Sequence, residues 1–377
     1  MIKIASIVPY RILPPVQGGE RHTYFFLEAL SRYAELTCVT VWENASWSSE
    51  RISIKPFLGS TENKFRYTRL RLYSKIKNLC QQQGISTIML EHPYYGWLGY
   101  LLKRRAGLHL VIHSHNIESN RFKTLGKRWW KLLFWYEKFV HRQADLSFFI
   151  TQEDQDFAID KYGLDPKKCC VSTYGIDATD PPVAERALAR QQILKELALD
   201  ASTTLFLFNG ALNYLPNQHA VEKIIRVINP LLRKRTDRTY KIIICGKASD
   251  SLQQELTRPE NAEIIYAGFV PDIQQYFLAA DIFLNPVTEG GGIKTKLVEA
   301  LAANTPAVSF KTGAYGIPLS VTGGRLSVVA DDNFEAFTDA VQKLLSAPQR
   351  NVPAAFFEHF NWNAIAKRAV TQLEQLS

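Results

Sequence analysis

Short runs of apolar and β-branched residues alternate along this chain with segments whose apolar residues recur at helical spacing. The runs are residues 2–8, 36–41, 86–90, 110–113, 146–150, 204–208, 241–245, 281–285 and 307–310. A parallel sheet covered by helices on both faces requires this alternation, because its strands are buried on both sides. The pattern occurs in two successive blocks. It therefore predicts an α/β chain with two doubly wound parallel sheets.

The length of the chain agrees with two domains. A single hydrophobic core stops growing beyond about 250–300 residues, and this chain has 377. A stretch with Gly and a Pro pair, residues 172–182, follows the first block, and such stretches commonly interrupt regular structure. We therefore predict a first domain over residues 1–178 and a second over residues 179–356.

Composition and charge indicate where the protein is located and which partners it binds. No apolar run reaches the length of about 18 residues typical of a membrane-spanning helix, and the N-terminus enters a strand-like pattern directly, which predicts a cytoplasmic protein. The formal net charge of +9 attracts nucleic acids, anionic membranes and phosphorylated ligands alike. The basic runs are short and lie at expected helix ends, so we predict no nucleic-acid partner. The five scattered cysteines are expected to be reduced, and they predict no metal site.

The most informative segment is residues 286–302, where three glycines (290–292) separate a predicted strand from a predicted helix. Glycines let backbone N–H groups approach a ligand, and a helix N-terminus presents unpaired donors to an anion. Lys294 and Lys296 add positive charge there, and Glu299 is placed to accept hydrogen bonds from a ribose diol. The segment predicts a phosphate site, and a turn that only packs helix on strand is the other interpretation.

Two strand ends in the first block carry further candidates. Gly18 and Gly19, in the loop of residues 16–22, leave room for a phosphate or acceptor beside the backbone, unless they only form a turn. His113 ends another predicted strand and His115 follows it, at the edge where open α/β sheets bind ligands. Isolated histidines are more often structural than catalytic, so position alone does not assign them a role.

The order and spacing of these segments resemble those of the family 4 retaining glycosyltransferases with the GT-B fold. The resemblance is carried by Gly-Gly-Gly-Ile-Lys-x-Lys-x-x-Glu-Ala-x-Ala from residue 290 and by residues 172–177, 209–217, 244–247 and 266–286. It implies two facing Rossmann-like domains with a cleft between them, and a final helix, residues 357–377, that packs back on the first domain. It also implies a nucleotide diphosphate sugar donor of the UDP or GDP type and a glycan or lipid-linked acceptor in surface polysaccharide synthesis. No metal or other cofactor is expected, because helix N-termini and lysines can stabilise the leaving diphosphate and no Asp-x-Asp lies at the end of a predicted strand.

Individual site residues follow from the same resemblance. His115 is expected to be catalytic, supporting the positive transition state of the donor sugar, with His113 as the alternative. Donor contacts are expected at Gly18, Gly19, Gly210, Glu289, Gly291, Gly292, Ile293, Lys294, Lys296 and Glu299. Contacts to the cleft or the acceptor are expected at Asn116 and, from their positions in the sequence rather than from the resemblance, at Glu91, His92 and Arg121.

Two features depart from the family's pattern. The family's paired glutamates stand eight positions apart, but the residue eight positions before Glu299 is Gly291. Glu289 therefore either takes the role of the first glutamate or only holds the loop. The Arg and Lys that many relatives place after the first strand of the second domain are absent from residues 211–216, so the lysines of the glycine segment are expected to carry most of the charge opposite the pyrophosphate.

Residues 126–142 interleave aromatic residues with Lys and Arg, as a helix at a membrane interface does. A core helix with a basic outer face has the same pattern and is the favoured interpretation, and peripheral contact with an anionic membrane at its inner face is the other.

Two alternatives to a transferase remain. One is a catalytically inactive relative that binds a nucleotide sugar or a sugar, and the other is a non-hydrolysing epimerase, for which no suitably placed carboxylates are apparent.

Overall fold

The computed structural model describes residues 1–15, 18–348 and 350–376, and its contacts divide the chain into two compact units. The first unit is Met1–Asp177 together with the chain from Phe360 onward, and the second is Ala178–His359. Each contains one parallel sheet, so the predicted α/β class with two parallel sheets is confirmed. Residues 16 and 17 of the predicted first loop lie outside the described residues.

The strands and helices alternate through most of the chain. The strands are β1 (Lys3–Val8), β2 (Glu35–Thr40), β3 (Ile52–Lys55), β4 (Thr87–Glu91), β5 (His109–Ser114), β6 (Leu146–Phe149), β7 (Cys169–Val171), β8 (Thr204–Asn209), β9 (Tyr240–Cys245), β10 (Ile264–Gly268), β11 (Ile282–Asn285), β12 (Ala307–Phe310) and β13 (Leu326–Val329). The α-helices are α1 (Gly18–Leu30), α2 (Arg71–Gln83), α3 (Gly96–Ala106), α4 (Glu118–Thr124), α5 (Trp130–Gln143), α6 (Gln152–Phe157), α7 (Val183–Glu196), α8 (Leu215–Lys223), α9 (Asn229–Arg235), α10 (Asp250–Leu256), α11 (Ile273–Ala279), α12 (Thr295–Ala302), α13 (Phe334–Ser346), α14 (Ala354–Phe360) and α15 (Trp362–Glu374). No described helix is long and apolar enough to cross a bilayer.

In both sheets the direction in which successive strands are added reverses once, and the strands themselves stay parallel. The first has the order β3-β2-β1-β4-β5-β6-β7, and the second has the order β10-β9-β8-β11-β12-β13. In each sheet the chain first moves outward to one edge, then returns to the middle and moves outward to the other. Doubly wound sheets bind their ligands at the carboxyl ends of the strands beside this reversal. The reversals lie between β1 and β4 in the first sheet and between β8 and β11 in the second.

The inner strands form the cores because both of their faces are covered. Every residue of β4 and β11 is buried, as are five of the six residues of β8. The edge strands β3 and β13 are mostly half-buried. The five cysteines are free thiols, as expected, and four of them are buried.

The last helix, α15, belongs to the first unit. Trp362 donates its backbone N–H to the carbonyl of Ile176 at 3.0 Å, and its ring lies 5.6 Å from Tyr174 and 5.5 Å from His22. A Cβ on Gly175 would lie 2.2 Å from the Trp362 ring, so this close approach requires glycine. The segment that connects the units is thereby fixed to α15 on its first-unit side.

Candidate functional site

In the first unit, ionisable side chains collect at the carboxyl ends of β4 and β5. Glu91, the last residue of β4, is the register partner of His113 on β5, so the parallel pairing brings these two side chains together. Residues of α1, of the loops after both strands and of α4 complete the group. We call the buried set the histidine–glutamate cluster; its members are His22, Glu91, His92, His113, His115 and Glu118.

Glu91 is the centre of this cluster. Its Oε2 lies 2.8 Å from Nε2 of His115 and 2.9 Å from Nδ1 of His113, while Ser6 donates to Oε1 at 3.4 Å. Burial by itself raises the pKa of the Glu91 carboxyl, but the contacts with His113 and His115 outweigh it and hold the pKa well below its usual range. Glu91 is therefore an ionised, fully buried carboxylate.

His115 is neutral at physiological pH. Burial, together with the neighbouring His92, lowers the pKa of His115 to about 3 despite the hydrogen bond to Glu91. A neutral imidazole carries one N–H, and an ionised carboxylate can only accept, so the proton lies on Nε2. Nδ1 is then an acceptor, and it is buried without a hydrogen-bond partner among the described residues. It can accept a hydrogen bond from a hydroxyl of a ligand.

A third histidine, which the sequence analysis did not select, belongs to the same group. His22 lies in α1, and its Nε2 is 3.3 Å from Nε2 of His113. Burial, followed by the neighbouring His115 and His113, lowers the pKa of His22 well below its ordinary value. One ring nitrogen from each of His22, His113 and His115 lies within 4.8 Å of the others, so these three are the described residues that could hold a metal ion.

His92 has an unusual backbone conformation. Its φ of 67° and ψ of 159° fall in a region that is almost restricted to glycine. The backbone N–H of His92 donates to the carbonyl of His113 at 2.9 Å, and its Nδ1 lies 3.3 Å from Oε1 of Glu118. Strained residues of this kind concentrate at functional sites, which supports the predicted role of His92 in a ligand site.

The other predicted residues of this unit surround Glu118. Asn116 donates to its Oε1 at 3.4 Å, whereas Arg121 and Tyr94 donate to its Oε2 at 3.2 and 2.9 Å. Burial tends to raise the pKa of Glu118, but the contact with His92 and the charge of Arg121 lower it to about 2. Arg121 remains 49% exposed, so part of its guanidinium is accessible to a ligand.

Gly18 and Gly19 open α1, one turn before His22. Both are exposed, and a Cβ on Gly19 would meet no atom within 4 Å. The backbone at the start of α1 is therefore accessible, as the predicted approach of a phosphate or an acceptor requires.

In the second unit, the glycine segment connects β11 to α12 at the sheet reversal. Gly290 and Gly292 have φ values of +82° and +70°, which residues with a Cβ rarely adopt. Lys294 occupies the N-cap position of α12, and its Nζ donates to the carbonyl oxygens of Gly290, Gly291 and Gly292 at 2.8, 3.2 and 3.1 Å. Burial lowers the pKa of Lys294 to about 8.

Lys296 connects α12 with the end of β8. Its Nζ donates to the carbonyl of Asn209 at 3.1 Å and to Oδ1 of Asn217 at 2.9 Å, and it lies 4.2 Å from the centre of the Phe208 ring. Burial and then the nearby charge of Lys294 lower its pKa to about 7. Gly210 follows Asn209, and a Cβ on it would lie 2.6 Å from Nδ2 of Asn217. The end of β8, the lysine pair and the start of α12 thus form one group.

Glu289 lies on the outer side of the glycine segment. Its Oε1 is 2.9 Å from Nδ1 of His219 on α8, and both side chains are partly exposed. This contact attaches the loop to α8, which is one of the two roles considered for Glu289. Ile293 and Glu299 are half-buried on the same segment and on α12. The predicted donor residues of the second unit therefore lie around a single sheet reversal.

Comparison with known proteins identifies the family. Residues 16–180 match the family model described as Glycosyltransferase Family 4, and residues 203–347 match the one described as Glycosyl transferases group 1. A D-inositol 3-phosphate glycosyltransferase of Rhodococcus jostii is 25% identical over 313 residues, which are 74% of this chain and 64% of the relative. The chain thus spans just under two thirds of that relative's length. The Corynebacterium jeikeium protein of the same name is 22% identical over 346 residues, covering 85% of this chain and 80% of the relative.

Solved structures show the same fold. Anabaena Alr3699/HepE in complex with UDP superposes with a TM-score of 0.74 at 16% identity, covering 99% of this chain and all of the other. The lipopolysaccharide outer core galactosyltransferase WaaB in its apo form superposes with a TM-score of 0.69 at 13% identity, over the whole of both chains. The sheet order and the family matches agree with these likenesses. This chain belongs to the family 4 glycosyltransferases and has the GT-B fold.

Proposed function

We propose that this protein transfers a sugar from a UDP-sugar to a glycan or lipid-linked acceptor, with retention of the anomeric configuration and without a metal ion. The group around the glycine segment carries this proposal: two lysines and the start of α12 beside a loop whose glycines expose its backbone. A leaving diphosphate is the main negative charge that develops during the transfer, and fixed cations and helix N-termini stabilise such charge.

The donor's parts are assigned as follows. Lys294 and Lys296 bind the diphosphate, with Lys294 leaving the loop carbonyls as the phosphates enter. Glu299 accepts hydrogen bonds from the ribose hydroxyls. UDP is preferred over GDP because the structural relative from Anabaena binds UDP. Glu289 acts on the loop through His219 rather than on the donor.

His115 is the catalytic residue in this proposal. Its Nδ1 accepts a hydrogen bond from a hydroxyl of the transferred sugar, which orients the ring and places the imidazole dipole near the developing positive charge. Because burial keeps His115 neutral, it adds no positive charge that would oppose an oxocarbenium-like transition state. Glu91 holds the ring in this tautomer.

We assign the acceptor to the glycans and lipid-linked glycans of surface polysaccharide synthesis, because the structural relative WaaB is a lipopolysaccharide outer core galactosyltransferase. The curated relatives are D-inositol 3-phosphate glycosyltransferases, so an inositol phosphate is the second acceptor class to test. The non-hydrolysing epimerase finds no support in these relatives.

A face of α5 supports attachment to the cytoplasmic surface of an anionic membrane. The exposed fractions of Trp129, Leu132, Trp135 and Phe139 are 48%, 74%, 64% and 43%, and their spacing of three to four residues places them on one side of the helix. We call this set the aromatic face. Lysines and arginines within and beside it include Lys131 and Lys138, whose Nζ atoms lie 5.9 Å from the Trp130 ring and 5.5 Å from the Trp135 ring. Apolar side chains flanked by cations are the composition of an interfacial helix.

The test is a transfer assay with UDP-glucose, UDP-galactose and GDP-mannose, offered with lipid-linked glycans or inositol 3-phosphate, with and without EDTA. We expect turnover with one UDP-sugar, an unchanged rate in EDTA, and a product whose anomeric configuration by NMR equals that of the donor. Loss of activity in EDTA would contradict the metal-free mechanism. It would make His22, His113 and His115 the candidate ligands of a metal ion. Nucleotide binding without turnover of any donor would indicate the inactive relative.

A further inference from the structure

A cavity of about 550 Å³ lies in the second unit at the amino ends of its strands. Thr204 begins β8, while Asp281 and Pro306 directly precede β11 and β12, and all three line it. We call it the arginine cavity, because Arg186, Arg190, Arg238, Arg325 and Arg350 line it. Asp281 is the only carboxylate among its described lining residues. The β8 strand has six residues, so about 20 Å of sheet separates this edge from the glycine segment.

Three of these guanidinium groups are held by backbone carbonyls. Arg186 donates to the carbonyls of Ala303 and Ala280 at 2.9 and 2.8 Å, and Arg325 donates to the carbonyl of Asn304 at 2.6 Å. Arg190 bonds to the carbonyl of Thr203 at 2.8 Å. These contacts fix the positions of the three groups, so a ligand would meet cations that are already ordered.

The carbonyls satisfy hydrogen bonds but do not neutralise the formal charges. Asp281 is paired with Arg190 at 2.9 Å and also accepts from the backbone N–H of Leu205 at 2.8 Å. Within the described chain, neither Arg186 nor Arg325 has an ion-pair partner. Burial and then the charge of Arg325 lower the pKa of Arg186 to about 10, and Nε of Arg325 is buried without a hydrogen-bond partner. An anion in the cavity would relieve this repulsion.

We propose that the arginine cavity binds a phosphate-bearing small molecule at a site separate from the donor site. Guanidinium groups match phosphate oxygens in a bidentate geometry, and Arg238 and Arg350 at the exposed rim add two further cations. Leu278 and Leu344 supply apolar lining for the carbon part of such a ligand. The volume falls within the range of roughly 300–1,000 Å³ that is usual for small-molecule sites.

The test uses inorganic phosphate as the probe, with chloride at matched ionic strength as the control. A ligand that binds only the folded protein raises its Tm by mass action, so the phosphate dependence of the Tm gives an apparent affinity. We expect a saturable rise in wild type that persists when UDP is present at saturation and in Lys294→Gln. Arg238→Gln and Arg325→Gln should each weaken the apparent affinity roughly tenfold, which is the effect of one lost charge-assisted hydrogen bond.

Arg238 is exposed and has little part in packing, so Arg238→Gln keeps the test decisive even if Arg325→Gln fails to fold. A Tm that rises no more with phosphate than with chloride would overturn the proposal. So would equal apparent affinities in wild type and both arginine variants, or a rise that disappears with UDP or in Lys294→Gln.

Discussion

Oε2 of Glu91 lies 2.8 Å from Nε2 of His115, and both groups are buried at the carboxyl ends of neighbouring strands. The carboxylate fixes the proton on Nε2 and leaves Nδ1 as an acceptor without a partner among the described residues. A ring held in one tautomer by a buried carboxylate is ordered before any substrate arrives. In the proposed mechanism Glu91 is thus a positioning residue, which acts on the reaction through His115.

The first prediction concerns this pair. Glu91→Gln replaces a pure acceptor by an amide that can also donate, so the tautomer of His115 is no longer fixed. We expect kcat to fall roughly 10- to 100-fold, as for the loss of a hydrogen bond to a charged group, with little change in UDP affinity. Glu62→Gln, an exposed change in the same unit, serves as the control. Normal turnover of Glu91→Gln would show that Glu91 has no part in the mechanism. Equal rates for Glu91→Gln and Glu91→Gln/His115→Ala would indicate that Glu91 acts only through His115.

The second prediction concerns stability in acid. The pKa of Glu118 in the folded protein is about 2, against an ordinary value of 4.5. A carboxyl with a depressed folded pKa stabilises the protein above the unfolded pKa, and this contribution is lost as the pH falls through the folded one. The difference in free energy of unfolding between wild type and Glu118→Gln should therefore shrink as the pH falls from about 5 toward 2. Urea unfolding at a series of pH values measures it, and a constant difference would contradict the assigned environment of Glu118.

The third prediction concerns proton uptake on nucleotide binding. Burial and then the charge of Lys294 lower the pKa of Lys296 to about 7, and burial lowers the pKa of Lys294 to about 8. At pH 8 a large part of the positive charge of the two lysines is therefore absent from the free protein. A bound diphosphate favours the charged amines, and UDP binding should therefore take up protons at pH 8 and weaken as the pH rises further. Calorimetry in buffers of different ionisation enthalpy measures the uptake. Lys296→Met should reduce it, whereas Lys195→Met, an exposed change on α7, should not. A binding enthalpy that does not depend on the buffer would contradict this account.

Much of the fold could be predicted from apolar runs, and the strands they did not predict share one property. The nine runs correspond to the nine inner strands of the two sheets. The remaining strands β3, β7, β10 and β13 are the four sheet edges. An edge strand is partly covered and needs fewer apolar residues, as the half-buried Ser53 and Ile54 of β3 show. Its sequence therefore differs little from that of a loop.

The geometry of the candidate site could be predicted only in part, for a related reason. Glu91 and His115 follow apolar runs, so the sequence indicates that both lie at the ligand-binding edge of the sheet. The register that pairs Glu91 with His113 is a property of the folded sheet, and so are the proximity of His22 and the place of Glu118 beside His92. The sequence also did not indicate that Lys294 contacts the carbonyls of its own loop.

The fourth prediction concerns the aromatic face. Leu132→Glu places a negative charge in the middle of the exposed apolar side chains, where it would repel an anionic bilayer. We expect the wild-type protein to sediment with vesicles that contain phosphatidylglycerol at low salt, and Leu132→Glu to sediment several-fold less. Leu188→Glu is the matched control, since Leu188 on α7 is 70% exposed and Leu132 is 74% exposed. Equal sedimentation of the two variants, or none in wild type, would contradict membrane attachment through this face.

The most direct test of the central claim is the affinity for UDP, measured by calorimetry at pH 7 on wild type, Lys294→Ala, Glu299→Ala and Lys195→Ala. If the glycine segment and α12 form the donor site, UDP binds to wild type and Lys195→Ala equally. Lys294→Ala and Glu299→Ala should then each bind at least about tenfold more weakly, because each loses a charge-assisted hydrogen bond to the nucleotide. Unchanged affinity in both variants, in a wild-type protein that binds UDP, would contradict this assignment of the donor site.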